Sequence, residues 1–211
     1  MPSLRTGLCS RHDRDSELGT RDSDYVRRSS SSESRVPCPG SMTTSKILTL
    51  PKLLEAAEVQ RAAGRRIVFA NGAFDLLHAG HVRYLEAARE EGDWLAVGVN
   101  SDESIRRAKG SARPIVPEPE RAEIVAALGC VDAVVVFGED SPAGLIGRLR
   151  PDVHAKGTDY TAESVPERAA VAAYGGRTVI VGDPKDHATT DVIERIRDTG
   201  LGTRNSGRRD S

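Results

Sequence analysis

Five short runs of mostly β-branched apolar residues recur along the chain, separated by segments with helical periodicity, and this alternation limits what the chain can fold into. The runs are Arg66–Ala70, Trp94–Val99, Ala133–Phe137, Asp152–Ala155 and Thr178–Val181. They are continuous rather than alternating in polarity, as strands covered on both faces of a parallel sheet are. Between them, Val82, Leu85 and Ala88 recur at three-residue spacing, while Ile124, Val125 and Leu128 follow an i, i+1, i+4 pattern that Val192, Ile193 and Ile196 repeat. Segments 51–63, 141–149 and 162–174 also read as helices. Strands and helices alternating at this spacing imply βαβ crossovers, and hence an α/β fold: a doubly wound parallel sheet of about five strands in a single domain.

The periodicity begins only near Met42. Residues 1–41 hold ten serines, seven arginines and six acidic residues, a composition that cannot offset its ordering entropy by burial. We expect a disordered polar extension over 1–41, upstream of a natural start at Met42; a genuine disordered tail is the alternative. The structured domain is expected over 42–200, and a second polar tail over 201–211. With acidic residues among the arginines we expect no transit peptide in this stretch, and without an apolar core no secretory signal. No apolar run reaches the roughly 18–20 residues that cross a bilayer. A formal charge of −1 removes the electrostatic case for a nucleic-acid binder. Cys9, Cys38 and Cys130 lack the spacing of a zinc site or a disulfide framework, which suits a reducing, cytoplasmic setting. Cys130 reads as a core residue.

The most informative stretch runs from Asn71 to Leu85, directly after the first strand and into a helix. In a Rossmann-like sheet, ligands bind beyond the carboxyl ends of strands, so a site belongs here. Gly72 suits a tight turn and Gly80 a close backbone approach. His78 and His81 fall three apart on the first helical turn, beside unpaired backbone N–H groups and the positive end of the helix dipole. Together they form an anion site with two additional donors.

His78-Ala79-Gly80-His81 after Gly72-Ala73-Phe74-Asp75 resembles the HxGH signature of the nucleotidyltransferase superfamily. Within it, the chain resembles the bacterial heptose 1-phosphate adenylyltransferases, which form half of a bifunctional kinase/adenylyltransferase. The resemblance covers roughly residues 46–199 and draws on Val99–Asp102, Lys109–Pro114, Arg121, Lys156–Tyr160 and Thr189–Ile196. It implies that His78, His81 and Lys109 are catalytic, the histidines on nucleotide phosphates and Lys109 on a mobile loop closing over them. Arg106, Arg107 and Arg113 share that duty or form a solvated face. Ala73, Phe74, Asp75, Gly80, Lys156, Asp159, Thr189 and Thr190 would bind nucleotide, with bracing of the loop as the alternative for Asp75. Asp102 and Arg121 would hold the acceptor, although an N-cap role suits Asp102 nearly as well. Arg121 sits in a first helical turn, where the dipole disfavours a cation, so an acceptor phosphate would explain it.

The resemblance further implies transfer of AMP from ATP to heptose 1-phosphate, with Mg²⁺ carried on the triphosphate, no dedicated metal ligands and a separate sugar kinase. A homodimer is common among similar proteins. Cytidylyl transfer to glycerol 3-phosphate or a related alcohol phosphate is the second reading, and a non-catalytic nucleotide-binding protein the third. Ala188 stands where relatives commonly have serine, which leaves the roles of Lys185 and His187 open.

Overall fold

The computed structural model describes residues 42–161, 163–183 and 189–199. Its elements in chain order are α1 (Met42–Lys46), α2 (Leu50–Ala62), β1 (Ile67–Gly72), α3 (Ala79–Glu90), β2 (Trp94–Asn100), α4 (Asp102–Lys109) and α5 (Glu118–Ala126). They continue with β3 (Ala133–Phe137), α6 (Ala143–Leu149), β4 (Val153–Gly157), α7 (Arg168–Ala172), β5 (Arg177–Val181) and α8 (Thr189–Asp198). All five strands are parallel in the order β3-β2-β1-β4-β5, so the sheet is the Rossmann-like α/β arrangement expected.

Strand parity divides the core. Val68, Ala70, Leu95, Val97, Val99, Val153 and Ala155 face α3 and α5, packing on Leu85, Ala88, Val125 and Ala126. The alternate residues Ile67, Phe69, Trp94, Ala96, Ala133 and Val135 face α2, α6 and α7, packing on Leu53, Leu145, Ile146 and Val171. Both faces are therefore apolar, which is why the strands read as unbroken hydrophobic runs. Fully burying a side chain such as Phe69 stabilises the fold by about 1.5–3 kcal/mol. At the β3 edge, Ile47 bridges to Val134 and the Leu48 N–H donates to the Val134 carbonyl, so that edge is partly covered.

The order reverses at β1, which pairs with β2 on one side and β4 on the other. Chain connections leave in opposite directions there, opening a crevice beyond the carboxyl ends of β1 and β4. Two helix boundaries differ from expectation. The segment read as 162–174 is helical only over Arg168–Ala172, with Val165 buried in the turns before it. The start of α4 lies one residue earlier than an Asp102 cap would place it: Ser101 caps the helix by accepting from the Ser104 N–H, so Asp102 is its first helical residue rather than its cap.

Candidate active site

A cavity of about 760 Å³ occupies the crevice. Ala73, Phe74, Asp75, His78, Gly80, His81, Lys109, Lys156, Asp159, Thr189 and Thr190 all reach it, so the structure gathers eleven of the thirteen expected site residues. The other two, Asp102 and Arg121, do not line it.

The wall nearest β1 depends on an unusual backbone. Phe74 holds φ at +48°, in the left-handed region that bulky residues avoid. Gly72, where a tight turn was expected, is instead the last residue of β1, and a Cβ there would come within 3.2 Å of the Phe74 ring. Its role is to leave room for that ring. Phe74 in turn packs against His81, with ring centroids 5.3 Å apart.

His78 is the N-cap residue of α3 and His81 is its third residue. Their rings stack at 3.9 Å between centroids. The His81 Nδ1 accepts a long, 3.4 Å hydrogen bond from the His78 N–H, which leaves the proton of a neutral ring on Nε2. Burial, reinforced by the positive fields of His78 and Lys109 and opposed by Asp159, pushes the His81 pKa down to about 4. The site thus holds a neutral donor beside a helix N-terminus in a positive field, a setting that favours an incoming anion.

Cations around the cavity differ in how far their charge is already used. Arg106 pairs with Asp102, Arg107 with Glu103 and Asp140, and Arg113 with Asp75. Lys109 makes no ion pair among the described residues and lies exposed at the cavity rim, at the end of α4 rather than on a free loop. Lys156, the penultimate residue of β4, is only 7% exposed; burial pushes its pKa down, against the opposing pull of Glu167. Its Nζ stands 4.5 Å over the Tyr160 ring, a cation–π contact.

Arg121 has a different task from the one expected. It is fully buried, and its guanidinium donates to the Val116 carbonyl, the Ala73 carbonyl and the Asp102 carboxylate, the last at 2.7 Å. Those three acceptors remove the conflict with the helix dipole without any ligand. Asp102 is consumed by the same network, and its N–H donates to Glu118. Asp75, with its side chain 1% exposed, accepts from the Ile115 and Val116 N–H groups and pairs with Arg113. Burial alone would raise its pKa, but those hydrogen bonds outweigh burial and hold it below the usual carboxylate range. The bracing role therefore describes Asp75, while Arg121 and Asp102 join the loop after β1 to the starts of α4 and α5.

Sequence reasoning passed over three polar residues. Asn71, at the end of β1, lines the cavity, and its Oδ1 lies 3.1 Å from the Nε2 of His154. His154 is fully buried against Phe69; burial and the Lys156 charge lower its pKa to about 3. A polar residue inside an apolar strand was the available signal. Glu167, also at the cavity, has no such local signature. Thr189 and Thr190 open α8 at the opposite wall, while Lys185, His187 and Ala188 lie outside the described residues.

A paired-histidine helix start, two lysines and a threonine helix start around the switch point of a parallel sheet define a nucleotidyltransferase domain. The chain belongs to the cytidylyltransferase-like family, whose model matches residues 69–197. It is 53% identical over 154 residues to the bifunctional protein HldE of Syntrophotalea carbinolica, covering 73% of this chain and 31% of that one. The HldE of Pseudomonas paraeruginosa is 50% identical over 154 residues, covering 73% and 32%. The chain thus spans about a third of the length of these curated relatives. A lipopolysaccharide core biosynthesis protein from Thermoplasma volcanium superposes with a TM-score of 0.51 at 28% identity, covering 58% of this chain and all of that one. Among the described residues, no helix is long and apolar enough to cross a membrane.

Proposed function

We propose that this domain transfers AMP from ATP to D-glycero-β-D-manno-heptose 1-phosphate, releasing pyrophosphate and forming ADP-heptose in the cytoplasm. The observation that carries the reading is the stacked His78–His81 pair at the start of α3, set between Lys109 and Lys156 in one cavity. The heptose branch is supported by the Lys156–Tyr160 block and by identity of about half to the HldE proteins.

In this reading an acceptor phosphate oxygen attacks the α-phosphorus in line, one P–O bond forming as the bond to the pyrophosphate oxygen breaks. A phosphate monoester has its second pKa near 6 and is largely dianionic at pH 7, so no general base is required. Catalysis then rests on placement and on charge stabilisation. The His81 Nε2–H donates to an α-phosphate oxygen, and a polyphosphate arriving there raises the depressed pKa of the ring, so binding and protonation strengthen each other. His78 and the first-turn amides of α3 hold the adjacent phosphate oxygens, Lys109 covers the leaving pyrophosphate, and Thr189 and Thr190 hold its far end. Lys156, partly desolvated, is poised between the two substrates.

ATP-dependent nucleotidyl transfer generally requires a divalent cation. Among the described residues, no group of three His, Cys, Asp or Glu is placed to hold one. The site would suit Mg²⁺ carried chiefly by the triphosphate and water. When bound, the ion neutralises phosphate charge.

The family description is compatible with a second reading, cytidylyl transfer, for which glycerol 3-phosphate or a related alcohol phosphate would be the acceptor. Pyrophosphate release measured for ATP, CTP, GTP and UTP, each with heptose 1-phosphate and with glycerol 3-phosphate, decides between them. The expected result is release with ATP and heptose 1-phosphate alone; release confined to CTP and glycerol 3-phosphate overturns the proposal.

A further inference from the structure

The cavity has two chemically different lobes, and strand parity separates them. One wall carries His78, His81, Thr189 and Thr190. On the other side, Asn71 continues the register of Ile67 and Phe69, Asn100 that of Trp94 and Ala96, and Lys156 that of His154, so all three side chains emerge on the sheet face covered by α6 and α7. Pro142 and Glu167, which precede α6 and α7, close this second lobe.

Glu167 is the feature that calls for a ligand. It is 5% exposed, reaches the cavity, and its Oε2 is buried without a hydrogen-bond partner. A buried acceptor without a donor is costly, so an acceptor in this position is explained by a donor that arrives with a ligand. The other polar side chains lining this side of the cavity are the uncharged Asn71, Asn100 and Ser104 and the cation Lys156, whose charge is felt by Glu167. The orientation of Asn71 is fixed from behind. The Nδ1 of His154 is buried without a partner, and an orphaned lone pair is tolerated better than an orphaned N–H, so the proton lies on Nε2 and donates to the Asn71 Oδ1. The Asn71 amide NH₂ is then left for the cavity. A triphosphate is repelled by a carboxylate in such a lobe, whereas the hydroxyls of a sugar donate to it.

We infer that Glu167 binds hydroxyl groups of the acceptor and that the lobe of Asn71, Asn100 and Glu167 selects a polyhydroxylated phosphate, whose phosphate reaches Lys156 at its boundary. This deepens the proposed function and rests on it. Steady-state kinetics of Glu167→Gln test it. Loss of a hydrogen bond from a charged group raises the KM for heptose 1-phosphate by about tenfold or more, with the KM for ATP within about twofold of wild type. An equal rise in the KM for ATP places the carboxylate on the nucleotide and overturns the inference, as does an unchanged KM for the sugar phosphate. Asn100→Ala, at a half-buried position of the same lobe, is expected to raise the same KM about threefold. If Glu167→Gln does not fold, this variant decides, and an unchanged KM refutes the lobe assignment. Turnover of a different sugar 1-phosphate by the wild type would refute the proposed acceptor while leaving the Glu167 ratio to be read on that sugar. Absence of turnover with every sugar phosphate overturns both.

Discussion

Arg121 and Lys109 stand twelve residues apart in sequence, on the same side of the sheet's reversal point, and they use their charge in opposite ways. Arg121 is sealed beneath the loop after β1, with two carbonyls and a carboxylate on its guanidinium. Lys109 is exposed at the cavity rim and makes no ion pair among the described residues. The difference is one of satisfaction rather than residue type. A cation whose donors are matched inside the fold builds the site, and one whose donors are left over is available to a phosphate. By the same rule, Asp75 and Asp102 are structural carboxylates and Glu167 is a binding one.

The largest expected effect lies on the structural side. Arg121→Met leaves the Ala73 and Val116 carbonyls and Asp102 without their donor, and removing one partner of a buried pair costs about 3–5 kcal/mol. Denaturant unfolding measures this loss, and the protein that remains folded keeps the wild-type KM for both substrates. Near-wild-type stability with a raised KM for the sugar phosphate would return Arg121 to the substrate and break the contrast. Next comes Lys109→Ala, for which the ligand side of the comparison expects kcat/KM to fall about 10²-fold while unfolding stays within about 0.5 kcal/mol of wild type. A stability loss comparable with that of Arg121→Met would erase the distinction.

The smallest effect is a pH dependence. The folded pKa values of His81 and His154 lie below the ordinary 6.5, at about 4 and about 3, so the unfolded chain takes up protons first as the solution is acidified. Stability is fully present above about 6.5 and is lost as pH falls toward the folded values. His154→Leu removes one of these two groups, and with it the adverse Lys156 field on that ring. The fall in Tm between pH 6.5 and 5 becomes shallower in this variant; an unchanged slope would show that His154 is not held neutral.

The sheet was legible because each strand is buried on both faces, and β-branched runs such as Val134-Val135-Val136 admit few other readings. The His78–His81 helix start and the two threonines of α8 were equally visible, since spacing and position together carry their chemistry. Of α4 only a first turn capped near Asp102 was legible, because Ile105 is the only large apolar residue in Asp102–Lys109 and leaves periodicity nothing to register. The overlong helix at 162–174 arose from Val165 and Val171, both buried, of which only the second is helical. Arg121 was misread for a non-local reason: the carbonyl that it holds belongs to Ala73, 48 positions away, and no window around Arg121 contains it. Glu167 precedes a five-residue helix with no recognisable pattern around it, so only the fold reveals that its carboxylate is buried at a cavity.

The central claim, that the paired histidines of α3 conduct nucleotidyl transfer in this cavity, is tested most directly by pyrophosphate release from ATP and heptose 1-phosphate in the wild type and in His81→Ala. Removing a donor aimed at the transferring phosphate lowers kcat by about 10²–10³-fold. Loss of the 3.4 Å contact with the His78 N–H costs at most about 1 kcal/mol of stability. The wild type is expected to release pyrophosphate and ADP-heptose in equal amounts and the variant to be folded but nearly inactive; a His81→Ala protein that turns over at the wild-type rate would refute the role of the pair.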